Sequence, residues 1–172
     1  KMIVLKIGSA LISSDENLSD KLIKSITGQI NNFIKKGITF VIVTSGAISQ
    51  GQKILNINKK PNELESLQAL AAIGQQQLMG MYERSFQDHN LLTAQVLLTH
   101  ADMNDMERYS NAKATIKKIL SMNVIPIINE NDVVATDEIK LGDNDALAAM
   151  VSNLIDADLM IILTNQQGLY NK

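Results

Sequence analysis

Short, almost wholly apolar runs recur along this 172-residue chain, and segments with apolar residues at helical spacing lie between them. A strand that is apolar on both faces has to be covered on both. Parallel strands joined by crossover helices are the ordinary way to meet that demand. The alternation therefore predicts an α/β fold with a mainly parallel sheet buried between helices. The predicted strands are Met2 to Ile7 (MIVLKI), Ile38 to Val43 (ITFVIV), Leu91 to Leu98, Val124 to Ile128 and Leu159 to Leu163 (LMIIL). Helices are predicted over 18–36, closed by Gly37, from Gly46 toward residue 54, and over 63–88, 107–121 and 142–155. Pro126 is awkward for a central strand, since it cannot donate to a ladder. The alternating stretch 133–141 (VVATDEIKL) predicts a small hairpin or flap.

No repeat, low-complexity tract or linker divides the sequence, and its length suits one domain. The net charge of −2 supplies no basic field for a nucleic-acid backbone, and three Tyr, three Phe and no Trp are too few for a base-stacking platform. No apolar run nears the roughly 18 residues that cross a bilayer, and no signal-peptide core follows the start, so no membrane partner is expected. The absence of cysteine excludes disulfides and thiolate metal sites and fits a cytoplasmic protein. The chain begins at Lys1, not at Met, and stops soon after its last predicted strand with no helix to cover that strand, so it reads as unfinished.

Ligands of parallel α/β sheets gather at the carboxyl ends of the strands. The first strand ends in Lys6-Ile7-Gly8-Ser9. A lysine in a buried strand is costly unless its ammonium meets an anion, and Gly8 lets the backbone approach a ligand. The second ends in Thr44-Ser45-Gly46 and runs into a helix, whose first amides suit a carboxylate or phosphate. The 124–128 strand exits through Asn129-Glu130-Asn131-Asp132, and Gly142-Asp143-Asn144-Asp145 opens the next helix, with Asp143 as its expected cap. Two such polar clusters at exits of one sheet predict an active-site rim. The last strand leads into Thr164-Asn165-Gln166-Gln167-Gly168. Neither a P-loop nor a G-x-G-x-x-G fingerprint occurs, the nucleophile-elbow pattern fails at Val43, and His89 and His100 follow no triad spacing.

VLKIGSALI at 4–12, VIVTSGAI at 41–48, LLTHADM at 97–103, RYSNAKATI at 108–116, VIPIINENDVVATDEIKLGDNDALAAMVS at 124–152 and ILTNQQGLY at 162–170 together resemble the amino acid kinase family, and within it the members that act on free glutamate. The resemblance implies a three-layer α/β/α sandwich over 1–172, with the substrate-binding part of the kinase domain and the start of its nucleotide lobe. It implies ATP-dependent phosphorylation of the γ-carboxylate of L-glutamate with Mg²⁺, the first step of proline synthesis, in a homo-oligomer. By resemblance, Lys6 contacts phosphate and Asp145 orients lysines. Ser45, Gly46, Asp132 and Asn144 bind glutamate. Gly8, Thr164 and Asn165 contact the nucleotide. Asn165 stands where the family usually has Asp. No protein-held metal site is implied, and the rest of the nucleotide lobe, with a second lysine, is expected beyond residue 172.

The chemistry fits those residues independently. A carboxylate nucleophile is already ionised at neutral pH, so no histidine base is needed. The difficulty lies in joining two anions and spreading charge in the transferring group, which lysines, backbone amides and Mg²⁺ can ease. Asp132, with Asn129 or Asn131, offers acceptors for a substrate ammonium. The competing readings are a kinase for N-acetylglutamate, aspartate or carbamate, and a non-catalytic amino-acid-binding module that assembles with itself through the 63–88 helix and the strand after it.

Overall fold

A computed structural model describes residues 1–12, 16–135 and 144–164. Five strands form one sheet: β1 (Met2–Ile7), β2 (Thr39–Thr44), β3 (Leu92–Leu98), β4 (Val124–Glu130) and β5 (Leu159–Leu163). Their spatial order is β3-β4-β2-β1-β5, and every pairing is parallel. The helices are α1 (Ser9–Ile12), α2 (Glu16–Ile34), α3 (Ala47–Ile54), α4 (Leu64–Gln87), α5 (His100–Asn104), α6 (Met106–Ser121) and α7 (Asp145–Leu154).

Successive strand residues face opposite layers, and both faces are filled. Leu5, Ile7, Phe40, Ile42, Ile125 and Ile127 pack under α2 and α4 with Ile23, Leu78, Tyr82 and Phe86. Val4, Val41, Val43 and Ile128 pack on the other side against Ile116 of α6 and Leu147, Val151 and Leu154 of α7. This is the three-layer sandwich, and it explains why the strands read as continuous apolar runs. β5 lies at an edge and is the least covered, with Leu159 and Ile162 exposed.

The strands and long helices fall where the residue patterns predict them, to within a few residues. Four differences have physical causes. β4 extends through Glu130, so Asn129 and Glu130 belong to the strand and not to the loop after it. Pro126 does lie in an interior strand, but β2 pairs with β4 only from Ile127 onward, so Pro126 meets only the β3 side at Ala94. The short helix α5 is added ahead of α6, begun by a capping box in which Thr99 and Asp102 exchange hydrogen bonds. Last, α7 starts at Asp145 with Asn144 as its N-cap, not at 142 with Asp143 as cap. Asp143 and residues 136–141 of the expected flap lie outside the described residues, and 132–134 form a turn.

The closest helix contact is the crossing of α3 on α4. A Cβ at Gly51 would lie 2.0 Å from the Leu70 carbonyl oxygen, and one at Gly74 would lie 1.8 Å from that of Ala47. The two glycines let the backbones touch, and this sets the angle at which α3 leaves β2. Gly46, between them, has φ +108°, a conformation that glycine adopts without strain.

Candidate active site

Register gathers the strand exits. Ile7 is level with Thr44 on one side and Leu163 on the other, and Val43 is level with Ile128. Gly8-Ser9, Ser45-Gly46, Asn129-Glu130 and Thr164 therefore share the carboxyl edge. Lys6, Thr44, Ser45, Asn129, Glu130, Asp132 and Asn144 are all buried there.

Lys6 follows Val4 onto the α7 side of the sheet. Its ammonium lies 2.5 Å from the Asp145 carboxylate; the lysine side chain is 6% exposed and the aspartate 41%. Burial thus falls on the lysine, while Asp145 keeps one side in water in the first turn of α7, where a carboxylate suits the helix dipole. The expected partner of the strand lysine is this aspartate.

Gly8 differs from expectation in one respect. Its N–H donates to the Leu163 carbonyl at 3.1 Å, so that amide ties β1 to β5 and is not left for a ligand. What the glycine supplies is space: a Cβ there would lie 3.3 Å from the Leu163 oxygen and 3.7 Å from the Lys6 ammonium. Thr164 is exposed beside it, and Asn165 lies outside the described residues.

Across the sheet, Asn144 donates through Nδ2 to the Thr44 carbonyl at 2.6 Å and to Asn129 Oδ1 at 2.8 Å, and it forms no side-chain cap on its own helix. Asn129 in turn donates to Gln75 Oε1 at 2.7 Å. Both ends of the Asn129 amide are thus engaged by neighbours, so of the acceptors expected at this exit Asn129 is taken up within the protein. On the α4 side, the Thr44 hydroxyl donates to the Ser45 carbonyl at 3.3 Å and is 2.9 Å from the Tyr82 phenol, which is then the donor to it. Burial pushes that phenol well above its ordinary value of 10.0, and the Thr44 contact offsets only part of the rise. Gln75 and Tyr82 were absent from the site residues expected from sequence; they stand two turns apart on α4, and this shared helical face was the available signal.

Two atoms of this edge are buried with no hydrogen-bond partner among the described residues: Ser45 Oγ and Asn144 Oδ1. Such atoms are uncommon in native proteins and are places where a ligand or an ordered water can bind. At the exit of β4 is a cavity of about 210 Å³ lined by Gln75, Glu130, Asn131 and Asp132 among others. A buried cation paired with a carboxylate, and buried polar atoms without a partner among the described residues, therefore lie along one sheet edge, an arrangement that suits a small polar ligand. His89 is 3.4 Å from Asn31 on α2, and His100 opens α5.

The chain belongs to the amino acid kinase family, whose pattern it matches over residues 1–172. Among its relatives, glutamate 5-kinase of Laribacter hongkongensis is 52% identical over 169 residues, covering 98% of this chain and 45% of the relative. Glutamate 5-kinase of Marinomonas sp. is 48% identical over 171 residues, covering 99% and 46%. The chain thus spans a little under half the length of these relatives. In fold it resembles carbamate kinase of Giardia, with a TM-score of 0.62 at 15% identity over 96% of this chain and 73% of that one. It likewise resembles aspartate kinase of Synechocystis, with a TM-score of 0.62 at 14% identity over 96% and 29%.

Proposed function

We propose that the full-length protein transfers the γ-phosphoryl group of ATP to the γ-carboxylate of L-glutamate, giving L-glutamyl 5-phosphate, the first step of proline biosynthesis, in the cytoplasm. The observation that carries this reading is the shared edge of the Lys6–Asp145 pair and the partnerless Ser45 and Asn144 atoms. Relatives named glutamate 5-kinase at 52% and 48% identity support the choice of acid. A carbamate kinase of Giardia lamblia bound to AMP-PNP, with a TM-score of 0.61, supports the choice of nucleotide.

In this reading residues 1–172 are the amino-acid-binding part of the kinase domain and the start of its nucleotide lobe. Ser45 and the Gly46 turn hold the carboxylate end of glutamate, and Asn144 Oδ1 and Asp132 accept from its ammonium. A γ-carboxylate oxygen attacks the γ-phosphorus as the bond to the ADP oxygen breaks, and no proton has to move. Lys6 meets the charge that spreads over the transferring oxygens, and Asp145 holds Lys6 in place. Gly8 keeps that lysine's approach clear, and Thr164 and Asn165 lie toward the nucleotide. Among the described residues no group of three His, Cys, Asp or Glu side chains could hold a metal ion. In this reading Mg²⁺ enters with ATP, and no step is assigned to a metal held by this chain. No helix of the described residues is long and apolar enough to cross a membrane.

The full-length protein, given ATP and Mg²⁺, is expected to yield a hydroxamate from glutamate when the acyl phosphate is trapped with hydroxylamine. Trapping from N-acetylglutamate or aspartate with none from glutamate would overturn the substrate. Free glutamate is a better fit than N-acetylglutamate, because an acylated amine keeps one N–H, carries no charge and does not need so many acceptors. Self-association belongs to the same reading. Leu92 on the edge strand β3, with Ile73 and Leu64 on α4, leaves apolar surface uncovered. Sedimentation is expected to find a dimer or larger, and a monomer at high protein concentration would remove this part.

A further inference from the structure

We propose that Gln75 of α4 is a positioning residue for the amino-acid site, acting through Asn129 on Asn144; this rests on the function proposed above. The argument follows the polarity of the hydrogen bonds. The Thr44 carbonyl can only accept, so Asn144 must turn its amide nitrogen toward it. The same nitrogen meets Asn129 Oδ1, which obliges Asn129 to turn its own nitrogen toward α4. Only an acceptor can stand there, and Gln75 Oε1 does, at 2.7 Å. Each amide in the chain then has one orientation, with a backbone carbonyl fixing one end and Gln75 the other. The remaining oxygen of Asn144, buried and partnerless among the described residues, is thereby aimed as a consequence.

Gln75 itself gains little from this position. Its Nε2 is buried and has no hydrogen-bond partner among the described residues. A methionine of similar shape would avoid that unmet donor, so packing alone does not account for the glutamine. What it adds is an acceptor for Asn129. Without it, the fully buried Asn129 keeps an unmatched N–H₂ group and is free to tilt, and Asn144 loses the support that holds its free oxygen in one place. Because this machinery serves the amino acid and not the phosphoryl group, the loss falls on glutamate KM.

The test uses the full-length protein in the hydroxylamine assay, with Gln75→Met, Gln75→Glu, Asn129→Ala and the Gln75→Met/Asn129→Ala double variant. Gln75→Met is expected to raise glutamate KM by about tenfold or more, with kcat and ATP KM within about threefold. Gln75→Glu keeps the acceptor and is expected to stay within about threefold of wild type in glutamate KM. In the Asn129→Ala background Gln75→Met is expected to add less than about twofold, since its route is already removed. A folded Gln75→Met with wild-type glutamate KM overturns the proposal. So does an equal effect in both backgrounds, or a Gln75→Glu variant as impaired as an acceptor-free one. If Gln75→Met does not fold, Gln75→Glu and Asn129→Ala decide: a raised KM in the first or an unchanged KM in the second overturns it.

Failure of the functional reading shows separately. A wild type that prefers another acid refutes glutamate, and the same comparisons are read on that acid's KM. A wild type that turns over no acid refutes the kinase reading. A crystal structure of Gln75→Met then decides: Asn129 and Asn144 amides displaced from their wild-type places support the positioning role, and unmoved amides overturn it.

Discussion

Lys6→Met in the full-length protein is expected to lower kcat for acyl-phosphate formation by about two orders of magnitude or more, roughly 3 kcal/mol, with a smaller change in glutamate KM. Methionine matches the lysine stem in length and suits an apolar strand, so the fold should tolerate it. Exchanging a buried charge for an apolar side chain is often neutral or stabilising. Asp145 loses its partner but keeps one side in water, which limits the penalty on that side. What disappears is a cation fixed at the strand exit before the reaction begins. The charge it would meet is largest in the transition state, so the loss is a loss of rate. Asp145→Asn should resemble Lys6→Met, whereas Asp132→Asn and Ser45→Ala should act mainly on glutamate KM. Steady-state kinetics on these variants separates the roles. If Lys6→Met keeps near-normal kcat and only weakens glutamate binding, the lysine holds a substrate carboxylate and the assignment is wrong.

Gly74→Ala is expected to destabilise the protein by about 3 kcal/mol, the upper end of what over-packing costs. The added methyl would stand 1.8 Å from the Ala47 carbonyl oxygen and 2.3 Å from the Gly51 nitrogen, and both are backbone atoms that no rotamer change can move aside. The helices must separate, and Ala47 is the first residue of α3, directly after Ser45 and Gly46. Glutamate KM should therefore rise along with the loss of stability. Gly37→Ala makes a useful contrast. Its φ of +79° is unfavourable for alanine, but nothing lies within 4 Å, so only about 1–2 kcal/mol of backbone strain is expected. Chemical denaturation of the two variants is the measurement. Equal midpoints, or a Gly74→Ala midpoint matching wild type, would show that the crossing is looser than it looks.

The sandwich was legible because its central strands are buried on both faces, and no other common arrangement suits apolar runs such as MIVLKI and ITFVIV. Lys6 was legible for a related reason: a charge inside MIVLKI needs a partner, and Asp145 is that partner. Gln75 was not. Helical spacing reveals which residues of 63–88 form an apolar stripe, but it does not tell which polar side chain beside that stripe reaches the end of a strand from another part of the chain. Tyr82 was hidden likewise, since a phenol on an apolar face reads as core until Thr44 is found above it. The span of α5 is too short to show a period, and only its Thr99-to-Asp102 capping box marks it. The bond from the Gly8 amide to Leu163 was not legible, because a glycine at a strand exit serves a ligand and a neighbouring strand equally well, and only the register of β1 with β5 decides.

The Tyr82 phenol also makes the protein its own optical reporter. The chain has no tryptophan to mask the absorbance of its three tyrosines. Folding holds the proton on Tyr82 beyond the ordinary value of 10.0, so the stability tied to that proton is fully present below pH 10.0 and drains away as alkali rises above it. Phenolate absorbance above pH 10.0, in excess of that shown by a Tyr82→Phe variant, would signal that α4 has come away from β2. An alkaline titration, set against that variant, thus reads the joint beneath the proposed amino-acid site without label or ligand.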